Sequence, residues 1–526
     1  MRWMRICSVA CVCAFLFGTV WAADVTWMGG GTDTNWTTSG NWGGTAPTAD
    51  DTAIVPTNET PFAVTVDDGA VAATLTATGA TLTQGAGTAT IGTSVTLNTG
   101  AAYTLSGGTL YTPSINVAGG TFTYGSGTLA TDASTTGVTI DLTNGGTFVR
   151  NAIAGDSDAI NNYTFTGDGT LRLRLTASDI RLTSTFTDFA GTIEVHNDNY
   201  SANTKLNTNR AGASTFASNG NITLDIMDQA QIFVATTPLA CDTYIIGTGN
   251  RENRGAIRLG ANVTGDVFLK GDATIGTEGG NISGAISSSA TSGTQTLTVG
   301  TSNCGSNSTF SGVVSDGTTG GQLALKVARG ILTLSNANNI YTGATTLSTI
   351  GSNSGVLRIS SMNAISGTSK VVFDGGTLSV NATAGMLFSL TKPLEVTTGN
   401  ALKLDIRNSN TSSAAWLAFT DDSSWGTAAA PVSFDIILSN TAGSASTNLG
   451  VLTFNTRDAS GSIYDNYSGT IEIGSYTGVN IESADFFSHD NIAFKVNSGG
   501  RLQIRGNQKN LVQWNWQAAP WMCLAR

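Results

Sequence analysis

The sequence is poor in charged residues, proline, cysteine and histidine. Charged residues make up 12% of its 526 residues, roughly half of the ~25% that is usual in globular domains. The chain holds 8 Pro, 6 Cys and 2 His, which excludes a disulfide-dense scaffold, a collagen and a proline-rich stalk. Disorder is disfavoured too, because 40% apolar residues with so little charge can bury a substantial core.

The charges that are present are mainly acidic. Lys and Arg total 25 and Asp and Glu total 36, giving a net charge of −11. Such a chain is not suited to neutralising phosphates. The basic run at Leu171–Leu175 alternates leucine with arginine, and we interpret it as one strand with its leucines buried. No nucleic-acid partner is therefore predicted.

The segment 1–22 has the layout of a secretory signal peptide. Arg2 and Arg5 precede an apolar stretch over residues 6–20, and Val20 and Ala22 precede the expected cleavage point. The stretch is shorter than the ~20 residues that a membrane-spanning helix needs. We therefore expect an exported protein that is cut after Ala22 and has no transmembrane segment in its mature chain.

Cleavage would leave three cysteines, Cys241, Cys304 and Cys523. They are odd in number and widely separated, so neither a disulfide framework nor a CxxC metal site can be built from them. We expect two packed thiols and one loose terminal thiol.

From residue 62 to residue 129 the apolar residues follow a period of two, which is typical of short strands. The centres of this pattern lie 6 to 10 residues apart, at Val66, Leu75, Leu82, Ile91, Leu97, Leu105, Ile115, Phe122 and Leu129. Three such steps make a coil of roughly 22 to 25 residues, as in a parallel β-helix. The predicted fold is all-β: a right-handed parallel β-helix (β-solenoid) forming a single elongated domain.

A second repeat consists of Gly-Thr-apolar triplets. They begin at Gly108, Gly120, Gly127, Gly146, Gly169 and Gly376. In each we expect glycine to adopt the positive φ of a corner, threonine to begin a strand and the apolar residue to point inward. A related turn places an aromatic residue two positions before a glycine, at Phe189, Phe310, Tyr341 and Tyr467. Positive φ is expected at Gly343, the glycine of the third such turn.

Residues 308–317, 330–334 and 338–343 read STFSGVVSDG, GILTL and NNIYTG. This succession resembles the autotransporter-associated β-strand repeat, although Ile331 and Ile340 replace residues of that pattern. The resemblance implies a secreted, passenger-like parallel β-helix displayed outside a Gram-negative cell. It does not imply an enzymatic activity.

These patterns predict four segments: a signal peptide over 1–22, a Trp/Gly-rich N-terminal cap over 23–60, the β-helix over 61–505, and a tail or cap over 506–526. Trp27, Trp36 and Trp42 would plug the open end of the first coil. The alternative is a sugar-binding platform, since a flat indole ring can stack on a pyranose. No C-terminal barrel pattern is recognised, so an export or anchoring partner supplied in trans is expected.

Motifs for chemistry are scarce. His196 lies between Glu194 and Asp198, and all three belong to the outward side of a predicted strand, which we interpret as a solvated face. His489 stands alone, and no HExxH, GxSxG or Walker pattern occurs. With 8 Lys and no dense charged cluster in the sequence, no catalytic, cofactor-binding or metal-binding residue is predicted.

The leading hypothesis is a non-catalytic structural or adhesive protein, extracellular or on the outer-membrane surface, or periplasmic without an export partner. Its contacts would be an extracellular glycan or a neighbouring cell-surface protein. The alternative is a carbohydrate-binding module or a pectate-lyase-like, polysaccharide-active enzyme on the same fold.

Overall fold

The computed structural model describes residues 22–135, 137–154, 162–177, 179–208, 215–382, 387–408, 414–419, 425, 430–443, 449–454, 466–481 and 492–504. The predicted signal peptide, apart from Ala22, the tail over 506–526, Cys523 and His489 lie outside these residues. Strands account for 53% of the described residues and helix for 2%, and these strands form parallel coils, about 18 turns. The predicted all-β solenoid is therefore confirmed. The coils fall into two compact units, Met1–Asp141 and Leu142–Arg526.

The first unit contains eleven strands and a short 3-10 helix at Ser39–Trp42 among its described residues. The strands are β1 (Asp24–Thr26), β2 (Thr52–Val55), β3 (Ala63–Thr65), β4 (Ala70–Ala77), β5 (Thr81–Gln84), β6 (Thr88–Asn98), β7 (Ala102–Leu105), β8 (Thr109–Tyr111), β9 (Ser114–Ala118), β10 (Thr121–Tyr124) and β11 (Thr128–Ala130). They form three parallel sheets, β1-β2-β4-β6-β9, β3-β5-β7-β10 and β6-β8-β11. Each sheet is one wall of the coils.

A further strand, β12 (Thr139–Thr143), lies where the two units adjoin in sequence. The second unit begins with β13 (Thr147–Ile153), β14 (Thr164–Gly167), β15 (Thr170–Leu175), β16 (Asp179–Ile180), β17 (Thr185–Phe189), β18 (Thr192–Asn197), β19 (Lys205–Asn207), β20 (Thr223–Ile226), β21 (Ile232–Val234), β22 (Asp242–Gly247), β23 (Ile257–Leu259), β24 (Val267–Thr277), β25 (Ile286–Ser288), β26 (Thr294–Val299), β27 (Ser308–Phe310) and β28 (Val314–Ser315).

It continues with β29 (Gln322–Val327), β30 (Gly330–Leu334), β31 (Thr345–Ile350), β32 (Asn353–Ile359), a 3-10 helix (Met362–Ile365), β33 (Val371–Asp374), β34 (Thr377–Ala382), β35 (Leu387–Leu390), β36 (Leu394–Val396), β37 (Ala401–Asn408), β38 (Ala415–Phe419), β39 (Val432–Ser433), β40 (Asp435–Ser439), β41 (Gly450–Phe454), β42 (Tyr467–Ile473), β43 (Thr477–Ile481), β44 (Ile492–Val496) and β45 (Arg501–Ile504).

Parallel ladders also build the walls of the second unit. One wall runs β13-β15-β18-β20-β22-β24 and a neighbouring wall runs β16-β19-β21-β23-β24. The long strand β24 pairs with β25 through its first half and with β26 through its second. Later coils form β27-β30-β32-β34-β37-β40-β42-β44 and β35-β38-β41-β43-β45.

The coils vary in length more than the sequence analysis predicts. Val64 pairs with Leu82 of the next coil, whereas Ile436 pairs with Ile471, so that the second of these coils is nearly twice as long as the first. These pairs are 18 and 35 residues apart, so the predicted coil of roughly 22 to 25 residues does not hold for every coil. The strands of each coil need only pair in register with those of the coil before. Loops at the corners can therefore lengthen without disturbing the walls.

The core is made as the period-two pattern predicts. All nine predicted apolar centres from Val66 to Leu129 are buried. Rings of successive coils stack directly, as Tyr103 on Phe122 with centroids 5.1 Å apart and Phe165 on Phe186 at the same distance. In all six Gly-Thr-apolar triplets the threonine is the first residue of a strand and the apolar residue is buried.

The predicted role of glycine is wrong at most of these positions. Only Gly108 and Gly127 among the six triplet glycines have a positive φ, and Gly343 does not. Gly343 is instead constrained by space, because an added Cβ would lie 2.5 Å from the Leu323 carbonyl oxygen of the preceding coil. Parallel strands about 4.8 Å apart leave no room for a side chain where two corners meet.

Candidate functional site

His196 lies where the sequence analysis places it, on the outward side of a wall. Its Nε2 is 3.2 Å from Glu194 Oε2, and the same carboxylate oxygen accepts a 2.5 Å hydrogen bond from Arg172 Nε. Burial acts to raise the pKa of Glu194, but the hydrogen bonds from Arg172 and His196 outweigh it and hold that pKa below its usual range. The nearby Asp198 binds Arg174 at 2.8 Å. The group is a set of ion pairs between adjacent strands.

A larger charged cluster lies on the neighbouring wall, and the sequence analysis missed it. We call it the charged clasp, and its members are Asp179, Lys205, Glu252, Arg254, Arg258, Glu278 and Cys304. Lys205 Nζ lies 2.6 Å from Asp179 Oδ1 and 2.6 Å from Glu252 Oε1, although the lysine side chain is only 7% exposed. The statement that the chain has no dense charged cluster is therefore wrong.

The second half of the clasp is centred on Glu278. One of its oxygens accepts a 2.9 Å hydrogen bond from Arg258 Nε, and the other pairs with Arg254 Nη1. Arg258 also reaches Glu252 at 3.4 Å and lies 3.8 Å above the centre of the Phe233 ring. The three carboxylates of the clasp are thus paired with its three cations, and Arg181 also lies 3.8 Å from Asp179.

The coil register brings these residues together from distant parts of the sequence. Asp179 and Lys205 are direct partners in β16 and β19, and Arg258 pairs with Phe233 in β23 and β21. The loop between β22 and β23 supplies Glu252 and folds over the wall. Asn250 of that loop donates to the Thr204 carbonyl at 2.7 Å, and Asn303 donates to the Glu252 carbonyl at 2.7 Å.

Two groups of the clasp, Glu278 and Cys304, have pKa values shifted by their surroundings. Burial alone would raise the pKa of Glu278, but its hydrogen bonds to Arg258 and Cys304 and the charges of Arg258 and Arg254 lower that pKa. Burial raises the pKa of Cys304 to about 11, and its thiol lies 3.3 Å from Glu278 Oε1. At neutral pH the cysteine is a thiol and the glutamate is a carboxylate. This geometry suits ion pairs that hold neighbouring coils together better than it suits nucleophilic or acid–base chemistry.

Cys241 is also a packed thiol, as expected. It is fully buried, its Sγ donates to the Phe216 carbonyl at 3.0 Å, and burial raises its pKa to about 12. Cys304 is likewise buried and forms no disulfide bond. Within the described ranges, no group of three or more His, Cys, Asp or Glu side chains is arranged to hold a metal ion.

The tryptophans of the N-terminal segment form a buried cluster. Trp27, Trp36 and Trp42 are 2%, 1% and 4% exposed, and Trp42 meets the other two edge-on at centroid distances of 5.0 and 4.8 Å. Trp42 Nε1 donates to the Trp36 carbonyl at 2.6 Å. Strand β1 of the same segment pairs with β2. The rings are thus packed as a plug would be, and none offers the open face that a sugar platform needs.

In the part of the chain that the structure describes, no helix is long and apolar enough to cross a membrane. Comparison with known proteins gives no match: no protein-family description, no curated protein and no solved structure matches the chain significantly.

Proposed function

We propose that this protein is an exported, non-catalytic β-solenoid that acts at the cell surface as a structural or adhesive element. The observation that supports this function best is a row of threonines on the outward side of one wall, which recurs in register from coil to coil. Thr147, Thr170, Thr192 and Thr223, for example, are successive partners on four strands. The row spans four coils and ends at the next, where Thr223 pairs with Asp242.

The charges of the second unit support the same proposal. Many of them are used between coils: Lys270 binds Asp225 at 2.8 Å, Lys370 binds Glu395 at 2.5 Å, and Lys495 binds Glu472 at 3.1 Å. The charges of the clasp are paired in the same way. A polysaccharide-active enzyme needs carboxylates or cations that remain available to the substrate, whereas those of the clasp are paired with one another.

The N-terminal sequence and the repeat over residues 308–343 support export. The first resembles a signal peptide and the second resembles autotransporter-associated repeats. A partner supplied in trans would complete transport to the surface or anchor the protein there. A glycan-binding role remains the alternative, with its binding surface elsewhere than the three buried tryptophans.

Export is tested by expressing the full chain in a Gram-negative host beside a matched version lacking residues 2–22. We expect the full chain to leave the cytoplasm and to begin at Ala23 by N-terminal sequencing, and the shortened version to stay inside. Recovery of both proteins unprocessed from the cytoplasm would contradict the proposal.

Surface contact is tested with beads coated with the purified protein beginning at Ala23. We expect the beads to adhere to one another or to bacterial cells without consuming any polysaccharide. Turnover of an acidic glycan that is abolished by Glu278→Gln would show instead that the clasp is catalytic.

A further inference from the structure

Six of the eight outward residues of one sheet in the first unit are threonines, and the other two are alanines. The sheet is β3-β5-β7-β10, and its outward residues are Ala63, Thr65, Thr81, Thr83, Ala102, Thr104, Thr121 and Thr123. We call this surface the threonine face. The alternate residues of the same strands, including Leu82, Tyr103 and Phe122, are buried inside the coil.

The threonine face is a two-dimensional array set by strand pairing. One row is Thr65, Thr83, Thr104 and Thr123, each the direct partner of the next, and the second row is Ala63, Thr81, Ala102 and Thr121. Neighbouring strands lie ~4.8 Å apart, and alternate residues of a strand lie ~6.7 Å apart. Because a β-branched side chain has few χ1 options, the hydroxyls and methyls are held at these spacings with little freedom.

The hydroxyls are available to an external partner. In the described residues, the hydroxyls of Thr81, Thr83, Thr104, Thr121 and Thr123 form no hydrogen bond to a protein atom, whereas Thr65 bonds to Thr34 at 2.9 Å. Thr81 and Thr83 are exposed and the later threonines are half-buried. Each free hydroxyl can both donate and accept.

The surroundings of β5, β7 and β10 are neutral to an unusual extent, whereas β3 is followed by Asp67 and Asp68. Residues 69–131 contain no Asp, Glu, Lys, Arg or His, and residues 23–141 contain no Lys, Arg or His. The corresponding threonine row of the second unit differs, because Arg172 and Glu194 lie beside it. Strand propensity explains threonine in strands generally, but not an outward surface without any charge or aromatic ring.

This combination indicates the chemistry of the partner. A glycan site would use exposed aromatic rings, and a protein interface would use large apolar anchors; the threonine face has neither. The face instead offers rows of hydroxyls and methyls at fixed spacing. Water molecules in a lattice can hydrogen-bond to such rows, and no charge on the face would orient them differently. We propose that the threonine face binds the surface of crystalline water, ice. This inference goes beyond export and cell-surface contact and does not depend on them.

The test uses the whole chain from Ala23 onward and its effect on ice. We expect the protein to slow recrystallisation of fine-grained ice and to separate the melting and freezing points of a single crystal. Thr83→Lys combined with Thr104→Lys, at the centre of the face, should abolish both effects. The matched control is Thr76→Lys with Thr96→Lys on the adjacent sheet, whose row is interrupted by Ile54 and Asn116, and it should keep full activity.

Circular dichroism melting curves establish that each variant is folded. Should the lysine pair not fold, Thr83→Gln with Thr104→Gln alters the same positions without adding charge and should lose activity equally. Unmodified protein that affects ice no more than albumin does, or equal loss in the face and control variants, would overturn the proposal. Binding to a crystalline polysaccharide that the lysine pair blocks, with no effect on ice, would overturn it in favour of a glycan.

Discussion

At several corners of the coils, glycine is required because neighbouring backbones come too close for a side chain. At Gly312 an added Cβ would lie 1.8 Å from the Gly284 carbonyl oxygen, and at Gly284 it would lie 1.9 Å from that of Gly265. The clash is with backbone, which cannot move aside without separating the coils. Space, rather than conformational freedom, is therefore the main reason for glycine at these corners.

Gly343→Ala tests this explanation at the turn after Tyr341. We expect a loss of about 1 to 3 kcal/mol in the free energy of unfolding, as for other overpacked sites, because the new methyl meets Leu323 and Ala324 of the preceding coil. Chemical denaturation measures the loss, and limited proteolysis locates the opened corner. The control is Gly220→Ala, where the nearest atom lies 3.7 Å away. Equal stability of the two variants would show that the corner at Gly343 has room to spare.

The clasp makes a prediction about pH. The folded pKa of Glu278 lies below its usual value of 4.5, so its contribution to stability is fully present above that value and is lost as the pH falls through the folded pKa. Glu278→Gln should therefore cost about 1.5 to 3 kcal/mol at neutral pH, the range for hydrogen bonds to charged groups. The difference from the unmodified protein should shrink on acidification below the usual pKa, as followed by urea denaturation at a series of pH values.

Glu395→Gln is the matched control for the clasp. Glu395 pairs with Lys370, but the lysine and glutamate side chains are 44% and 49% exposed, and exposed pairs contribute little. A Glu278→Gln effect that is no larger than this control, or that grows as the pH falls, would contradict the account of the clasp.

At the scale of the element, the N-terminal segment joins the coil stack through the pairing of β1 with β2 and of β2 with β4, and we expect its buried tryptophans to close that end. Trp36→Ala should remove a buried ring and cost about 3 to 5 kcal/mol, as large aromatic truncations do. Hydrogen exchange should then accelerate in β1, β2 and β4 first. Met28→Ala, in the same segment but 64% exposed, should leave exchange unchanged. If hydrogen exchange in Trp36→Ala is no faster than in Met28→Ala, the tryptophans do not hold this end closed.

Strand positions can be predicted from the sequence because the local residue pattern marks where a strand begins and which of its residues face inward. Thr109, Thr121 and Thr170 begin strands as predicted, and the next residue is buried in each case. These features depend on local pattern alone. The lengths of the corner loops cannot be predicted in this way, since loops of many lengths can bring the chain back to the same strand register.

The clasp could not be predicted for the same reason. Lys205 meets Glu252 across 47 residues and Cys304 meets Glu278 across 26, and these separations depend on every intervening loop. If the strand register were known, it would align Asp179 with Lys205 and so predict the ion pair between them. The loop carrying Glu252 leaves its wall and returns over it, which no repeat pattern indicates.

At the scale of the whole molecule, one rule accounts for each unit: successive coils pair in parallel, in register, with small residues at the corners. The neutral threonine rows, the ion pairs between strands and the clasp all follow from which residues that register brings together. The threonine face and the charged clasp therefore both depend on this register.

Disulfide formation between engineered cysteines measures the register directly. Thr170 and Thr192 are direct partners in β15 and β18, about 4.8 Å apart and within the Cα range that a disulfide spans, whereas Thr223 lies one strand further. In a Cys523→Ser background, Thr170→Cys with Thr192→Cys should cross-link on mild oxidation, as mass spectrometry of the digested protein would detect. Thr170→Cys with Thr223→Cys should stay reduced; cross-linking of this second pair instead of the first would contradict the coil register.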